Sequence, residues 1–185
     1  MTPRLAARYA EPQRRYHTLE HIEACLAALA KVEGLSADQR RTLERAIWWH
    51  DAIYDPQASD NEQRSADLAR EELSAIGASA AEQDEVARLI LLTKGHVVAA
   101  DDRLGAILVS IDLSILGADP VAYDRYARQV REEYAHVPAA LWRPGRSAVL
   151  TRFLEAPVIY PEPDFRARLE VTARANLARE LGGLA

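Results

Sequence analysis

Apolar residues recur along the chain at spacings of three and four, and no segment alternates between apolar and polar residues as a strand would. This spacing places apolar side chains on one face of an α-helix. The first clear stripe consists of Ile22, Cys25, Leu26, Leu29 and Val32. The pattern predicts an all-α protein in which about seven to eight helices form one bundle, with residues 1–185 as a single domain.

Capping residues predict where several of these helices begin and end. Ser36 followed by Gln39 matches a capping box, and the helix that it opens is expected to continue until Pro56 stops it. Ser59 followed by Glu62 matches a second capping box, which would open the next helix.

Proline and tryptophan residues refine the second half of this picture. Asp119 followed by Pro120 is typical of an N-cap and a first helical position. After Pro144-Gly145, a shorter helix is predicted from Arg146 to Leu154. We expect the three tryptophans to be core residues: Trp48, Trp49 and Trp142.

Composition narrows the class of protein. Hydrophobic residues make up 49% and charged residues 28% of the chain, which is ordinary for a globular protein and argues against wholesale disorder. The net charge of −5, without a long Lys/Arg cluster, argues against binding to duplex nucleic acid. One cysteine, no apolar run long enough for a membrane span and no secretory signal predict a cytoplasmic protein without a membrane partner.

Two histidines four residues apart are the first candidates for chemistry. His17 and His21 would lie about one helical turn apart on the same face, so both could reach one site. The alternative is a partly exposed turn that carries two solvated histidines.

Polar residues inside apolar runs are the second set of candidates. His50 and Asp51 follow the run Ala46–Trp49, and Asp112 lies within an equally apolar segment. A buried carboxylate is unfavourable unless a cation or a metal ion accompanies it. The alternative is a core histidine bonded to a backbone carbonyl, with each aspartate paired to an arginine.

Taken together, His21, His50, Asp51 and Asp112 suggest a site for one divalent ion. Two imidazoles and two carboxylates suit Mn²⁺, Fe²⁺, Co²⁺, Ni²⁺ or Zn²⁺, and Mg²⁺ is a further candidate for the bound ion. Four protein ligands would leave coordination positions for water and substrate. Cys25 falls within an apolar stripe and is expected in the core.

The order His21, His50-Asp51, Asp112 resembles the H…HD…D signature of the HD-domain phosphohydrolase superfamily. The combined motifs are similar to a bacterial subfamily described only as predicted HD-superfamily phosphohydrolases, and the likeness runs over nearly the whole chain. The segments that carry it are Arg15-Tyr16-His17-x-x-x-His21-Ile22, Trp49-His50-Asp51-x-x-Tyr54-Asp55-Pro56, Asn61-Glu62-x-x-Ser65-Ala66, Thr93-Lys94-x-His96, Asp112-Leu113-x-Ile115-Leu116-Gly117 and Ala173-Arg174-x-Asn176-Leu177.

The resemblance implies an HD-type helical bundle with one divalent metal on the four signature residues. It also implies hydrolysis of a phosphomonoester or phosphodiester, with metal-bound water as the nucleophile. Related cyclic-nucleotide phosphodiesterases carry a general acid at the first histidine of a Tyr-His-x-x-x-His element, which makes His17 the candidate acid. The expected partner is a small phosphorylated substrate, with a nucleotide as one candidate, and a homodimer stays open.

Further roles are assigned with their alternatives. Asp55 follows Asp51 by one turn and could orient the attacking water, or it could simply end the helix with Pro56. Alarmone hydrolases of the superfamily carry an acidic pair where this chain has Tyr54-Asp55, which argues against that activity. Glu62 is a candidate catalytic acid or an acid that supports a metal ligand, although its capping-box position after Ser59 is a sufficient structural explanation.

Three residues are candidate phosphate contacts, namely Arg15, Lys94 and His96, with Arg146 as a weaker one. The alternatives are a helix-dipole role for Lys94 and a surface position for His96. Two other functions compete with hydrolysis. One is a di-iron oxygenase of the same fold, for which His96 would be the extra ligand, and the other is a non-catalytic module that senses a ligand.

Overall fold

The computed structural model describes residues 3–184, and these residues form an all-helical bundle without strands. A 3-10 helix, Leu113–Gly117, follows the sixth α-helix. The nine α-helices of the described residues are α1 (Pro3–Arg8), α2 (Leu19–Ala30), α3 (Ala37–Trp49), α4 (Asn61–Ala75), α5 (Ala80–Leu92), α6 (Arg103–Asp112), α7 (Pro120–Glu133), α8 (Ala139–Glu155) and α9 (Pro163–Leu184). The predicted all-α bundle is confirmed, and the short α1 is the helix that the apolar pattern did not indicate.

One hydrophobic cluster joins all nine helices, because each of them contributes at least one buried apolar side chain to it. Helix α3 packs against α2, α4, α5 and α6, while α9 packs against α8 and the 3-10 helix. The predicted stripe of α2 is buried at Ile22, Cys25 and Leu29. Burial of such stripes is the main driving force for the bundle.

Several predicted helix ends are confirmed in atomic detail. Ser36 accepts a hydrogen bond from the Gln39 amide, and the Gln39 side chain accepts one from the Ser36 amide, which completes the capping box. The Asp119 carboxylate accepts hydrogen bonds from two amides of the first turn of α7, and Pro120 begins that helix. These caps satisfy amides that have no partner inside the helix.

Helix α3 ends at Trp49 and not near Pro56, which corrects the prediction from the sequence. The Ile53 amide donates to the Ser65 hydroxyl on α4 at 3.0 Å instead of continuing the helix. The buried Arg14 guanidinium donates to the carbonyls of Asp51 and Ala52 at 2.8 and 3.2 Å. Tertiary hydrogen bonds therefore replace the helical ones, and residues after Trp49 no longer follow helical spacing.

Two helix starts also differ from the prediction. The N-cap of α4 is Asp60, so Ser59 and Glu62 do not form the expected capping box. Helix α8 begins at Ala139, seven residues before the predicted start at Arg146, and it contains Pro144. The helix was predicted to begin only after Pro144-Gly145, yet α8 continues through this dipeptide.

No single helix among residues 3–184 is both long and apolar enough to span a membrane. The segments Arg103–Gly117 and Pro120–Glu133 reach that length and apolarity only together, across a bend of 103°.

Candidate metal centre

Nitrogen and oxygen atoms from two separate helix ends meet in one buried cluster. His21 lies in the first turn of α2, and His50 and Asp51 directly follow α3. The Nε2 atoms of His21 and His50 lie 3.2 Å apart. The Asp51 carboxylate lies 3.0 Å from His50 Nε2 and 3.7 Å from His21 Nε2. These three residues form a group that can hold a metal ion.

Two of these separations, 3.0 and 3.2 Å, match those of ligands around one ion, and the third, 3.7 Å, is slightly longer. Donor atoms about 2.1 Å from a common ion lie about 3.0 Å apart in an octahedral shell and about 3.4 Å apart in a tetrahedral one. His50 Nδ1 donates to the Ile47 carbonyl at 2.8 Å, so Nε2 is the nitrogen that would bind a metal ion after losing its proton. Metal-binding histidines typically donate such a hydrogen bond from the ring nitrogen that does not bind the metal.

Asp112, the last residue of α6, faces the same point from a third helix. Its Oδ1 atom lies 3.3 Å from His21 Nε2 and 3.5 Å from His50 Nε2. Its Oδ2 atom accepts a hydrogen bond from His96 Nε2 at 3.2 Å. The four residues expected from the sequence as metal ligands are therefore neighbours in space.

His96, which contacts the Asp112 carboxylate, has an unusual backbone conformation. Its φ angle is 56°, in the left-handed region that residues other than glycine rarely adopt. Such a conformation persists only where surrounding contacts hold it, and such residues concentrate at functional sites. His96 was expected to contact phosphate, whereas its Nε2 atom contacts the Asp112 carboxylate.

Charge in the cluster is balanced between acids and imidazoles. Burial raises the pKa of Asp51, but the charges of His50 and His17 lower it by a larger amount, so the pKa lies well below its ordinary value. Burial likewise opposes ionisation of Asp112, yet hydrogen bonds from His21, His50 and His96 hold its pKa well below the ordinary value. The carboxylates thus stay ionised, and a divalent cation would replace imidazole protons as their counter-charge.

His17 stands beside this cluster and is held by a glutamate from α7. Its Nδ1 atom donates to Glu133 Oε2 at 2.7 Å, and its ring stacks on Tyr54 at a centroid distance of 4.2 Å. Burial lowers the pKa of His17, but the charge of Asp51 and the hydrogen bond to Glu133 outweigh it, so the pKa lies above its ordinary value. Because Glu133 binds Nδ1, the Nε2 atom of His17 has no hydrogen bond to this glutamate.

Glu133 is a buried carboxylate that five donors surround. Its Oε1 atom accepts from the backbone amides of Arg15, Tyr16 and His17 at 2.7, 2.8 and 3.0 Å. Its Oε2 atom accepts from His17 and from the Tyr54 hydroxyl. Burial raises the pKa of Glu133, but the bonds and charge of His17, with the amides, lower it to about 2.

Glu133 was not among the residues predicted from the sequence, although a signal for it exists. The buried face of α7 carries Tyr123 and Val130, and Glu133 follows Val130 by three residues. A glutamate in register with a buried stripe needs a partner.

A cleft of about 660 Å³ connects the cluster to solvent. Its lining includes both aspartates of the cluster and His17. Of the residues predicted to act on substrate, it also includes Glu62, Lys94 and His96. The Glu62 side chain makes no hydrogen bond or ion pair with any other residue of 3–184, whereas the Lys94 ammonium donates to the Ser59 carbonyl at 2.9 Å.

Two predicted site residues do not line this cleft. Asp55 is exposed, and its carboxylate accepts from the Gln57 amide at 2.9 Å. Asp55 would lie on the same face as Asp51 only in a continuous helix, and α3 has already ended at Trp49. Arg15 points away as well, because its side chain is 49% exposed and donates to the carbonyls of Pro12 and Arg14.

The cleft also contains residues for which the sequence indicated another role. Trp142, expected in the core, is partly exposed in the cleft wall. Arg146 lines the cleft, but Glu180 binds its guanidinium through two hydrogen bonds of 2.7 and 3.0 Å. Arg152 lines the cleft and was not singled out.

Comparison of the chain with protein-family models, with curated proteins and with solved structures finds no match. The chemistry of this centre is therefore inferred from its own residues and from the motif resemblance.

Proposed function

We propose that the chain is a metal-dependent phosphohydrolase that cleaves a phosphoester of a small metabolite. The observation that carries the proposal is the position of His17. A histidine held by a buried carboxylate lines the same cleft as Asp51 and Asp112. A metal-ligand group supplies Lewis acidity and a proton donor assists the leaving group, so their presence in one cleft supports metal-dependent phosphoester hydrolysis. The resemblance to HD-domain phosphohydrolases supports the same reaction.

The side chains of His21, His50, Asp51 and Asp112 would hold one divalent ion. Such an ion, when bound, polarises a phosphoryl oxygen and lowers the pKa of a coordinated water. Asp51 and Asp112 supply negative charge for the ion, and His96 fixes the orientation of the Asp112 carboxylate. Three separate helices carry these residues, so the packed bundle keeps the donors in place.

His17 would protonate the leaving oxygen. Glu133 accepts the Nδ1 proton, which leaves Nε2–H of the protonated ring as the donor toward the substrate. The hydrogen bond and the negative charge of Glu133 stabilise the protonated ring and so keep that proton available. Glu62 and Lys94 complete the polar lining, where Lys94 would contact the phosphate and Glu62 would accept a hydrogen bond from water or substrate.

The test is turnover of a panel of phosphomonoesters and phosphodiesters by the chain supplied with Mn²⁺, Co²⁺ or Mg²⁺. We expect turnover of at least one ester, loss of it with a chelator and recovery when metal is restored, because the ligands hold an exchangeable ion. Absence of metal-dependent turnover across the panel would refute the proposal.

Removal of the proton donor should affect esters according to their leaving groups. We expect His17→Ala to lower kcat for alkyl phosphates by about 10²- to 10⁴-fold and kcat for p-nitrophenyl phosphate far less, because nitrophenolate leaves without a proton. His136→Ala, at an exposed histidine outside the cleft, is the matched control and should leave both rates unchanged. Equal losses for both esters would remove the acid role from His17.

The competing oxygenase function has one observation in its favour. His96 Nε2 lies within 3.2 Å of Asp112 Oδ2, so the two residues could share a second ion. The metal content per chain separates the functions, since the phosphohydrolase proposed here needs one ion and a di-iron oxygenase needs two.

A further inference from the structure

Helix α8 presents an apolar face to the cleft that contains the metal ligands. The uncharged residues that α8 contributes to the cleft form its inner face, and they are Leu141, Trp142, Gly145, Val149 and Phe153; Arg146 and Arg152 of the same helix also line the cleft. From Trp142 to Phe153 these residues are spaced by three and four, and Leu141 lies four before Gly145, which places them on one side of the helix. The same cleft is lined by His17, Asp51 and Asp112. An organic group attached to a phosphate near the metal ligands would therefore meet this face.

Apolar side chains of the inner face are open to the cleft. Leu141 is 65% and Val149 is 40% exposed. The Trp142 ring packs against the Arg131 guanidinium, which lies 4.9 Å from its centroid, and against the Tyr134 ring, whose centroid lies 5.6 Å away. Exposed apolar surface beside a few convergent polar groups is typical of a ligand site.

Gly145 leaves an opening in the middle of this face. A Cβ atom built on Gly145 would meet no atom of the described residues within 4 Å. Its φ angle is not in the left-handed region, so neither the backbone nor packing requires a glycine there. Glycine destabilises a helix relative to alanine. The space above Gly145 is thus available to a ligand, and a larger side chain would fill it.

Positive charge in the cleft is limited. Glu180 binds the Arg146 guanidinium, and the Lys94 ammonium donates to the Ser59 carbonyl. Within residues 3–184, the Arg152 guanidinium contacts the Phe153 ring at 5.1 Å and makes no hydrogen bond or ion pair. One metal site with so few uncommitted cations suits one phosphoryl group better than a chain of several.

We propose that the substrate carries a single phosphoryl group and that its alcohol half is an apolar, ring-sized group packed on the inner face of α8. Trp142 and Val149 form the contact surface, and Gly145 provides the room for the ring. This inference rests on the proposed function for the position of the phosphoryl group, but it concerns binding and can be tested without turnover.

The test compares two phosphonates that cannot be hydrolysed at an ester bond, naphthylmethylphosphonate and methylphosphonate. Their Kd values are measured by calorimetry on the metal-loaded chain. We expect the naphthyl compound to bind at least about tenfold more tightly, because burial of its ring removes apolar surface from water. In Gly145→Leu this preference should fall about tenfold, since leucine occupies the space of the ring, while methylphosphonate binds as before.

Gly183→Leu is the matched control. Gly183 is also a helical glycine whose added Cβ would meet no described atom within 4 Å, but it lies in α9 outside the cleft lining. Its naphthyl preference should equal that of the unaltered chain. Equal affinity for both phosphonates, an unchanged preference in Gly145→Leu, or tighter binding of tripolyphosphate than of naphthylmethylphosphonate would overturn the inference. A Gly145-dependent preference without any ester turnover would instead refute the proposed hydrolysis alone.

Discussion

Asp51→Ala is expected to lower metal-dependent turnover by about 10³-fold or more and to reduce the bound metal in parallel. The substitution leaves two neutral imidazoles and one carboxylate, so the site loses half of its compensating negative charge. Asp51 lies after α3 and its carbonyl bond to Arg14 does not involve the side chain, so the helices should remain. The measurements are kcat/KM on the best ester, metal per chain by elemental analysis, and helical content by circular dichroism.

Asp55→Ala is the matched control for that variant. Both residues are aspartates after α3, but Asp55 is exposed and does not line the cleft. Metal content and turnover should match those of the unaltered chain. If Asp55→Ala lost activity as fully as Asp51→Ala, the expectation from the sequence that Asp55 orients water would regain support, and the metal site drawn from the structure would need revision.

Glu133→Gln is expected to lower the free energy of unfolding at neutral pH by about 2–4 kcal/mol. The amide NH₂ that replaces Oε2 would face the His17 Nδ1–H, which is another donor, while the Tyr54 hydroxyl can rotate and accept from the amide. The variant therefore loses the charge-assisted hydrogen bond to His17 and leaves that buried donor unpaired. Urea unfolding followed by circular dichroism measures the change, and Glu132→Gln is the control because Glu132 is 60% exposed. A loss below about 0.5 kcal/mol in Glu133→Gln would contradict the assigned network.

The same carboxylate predicts how stability depends on pH. Its pKa in the folded chain is about 2, below the ordinary value of 4.5. The unfolded chain therefore binds the proton more readily, and the stabilising contribution of Glu133 is present above about pH 4.5 and lost as the pH falls toward 2. This contribution amounts to about 3 kcal/mol. Unfolding free energies measured from about pH 7 to about pH 3 should fall less steeply for Glu133→Gln than for Glu132→Gln.

Three of the four candidate metal ligands could be predicted from the sequence because each lies in a setting that requires a partner, whereas His21 was predicted from its spacing to His17 and from the signature that the chain resembles. His50, Asp51 and Asp112 stand within or directly after apolar helices, where an unpaired polar group is unfavourable. The role expected for Asp55 depended on helical spacing from Asp51 alone. Long-range hydrogen bonds to Ser65 and from Arg14 replace the helical ones after Trp49 and remove that spacing. The role expected for Arg15 depended on its charge, which does not determine where its side chain points.

Local patterns in the sequence by themselves determined the helical class, most helix positions and caps such as Ser36 with Gln39. These features depend on contacts between residues three or four apart, so a short window contains the information. Only the tertiary structure decided that Nε2 atoms of residues 29 positions apart meet, and that a glutamate 116 positions away holds His17. Such contacts depend on how helices pack, because packing brings together side chains whose separation along the chain carries no local signal.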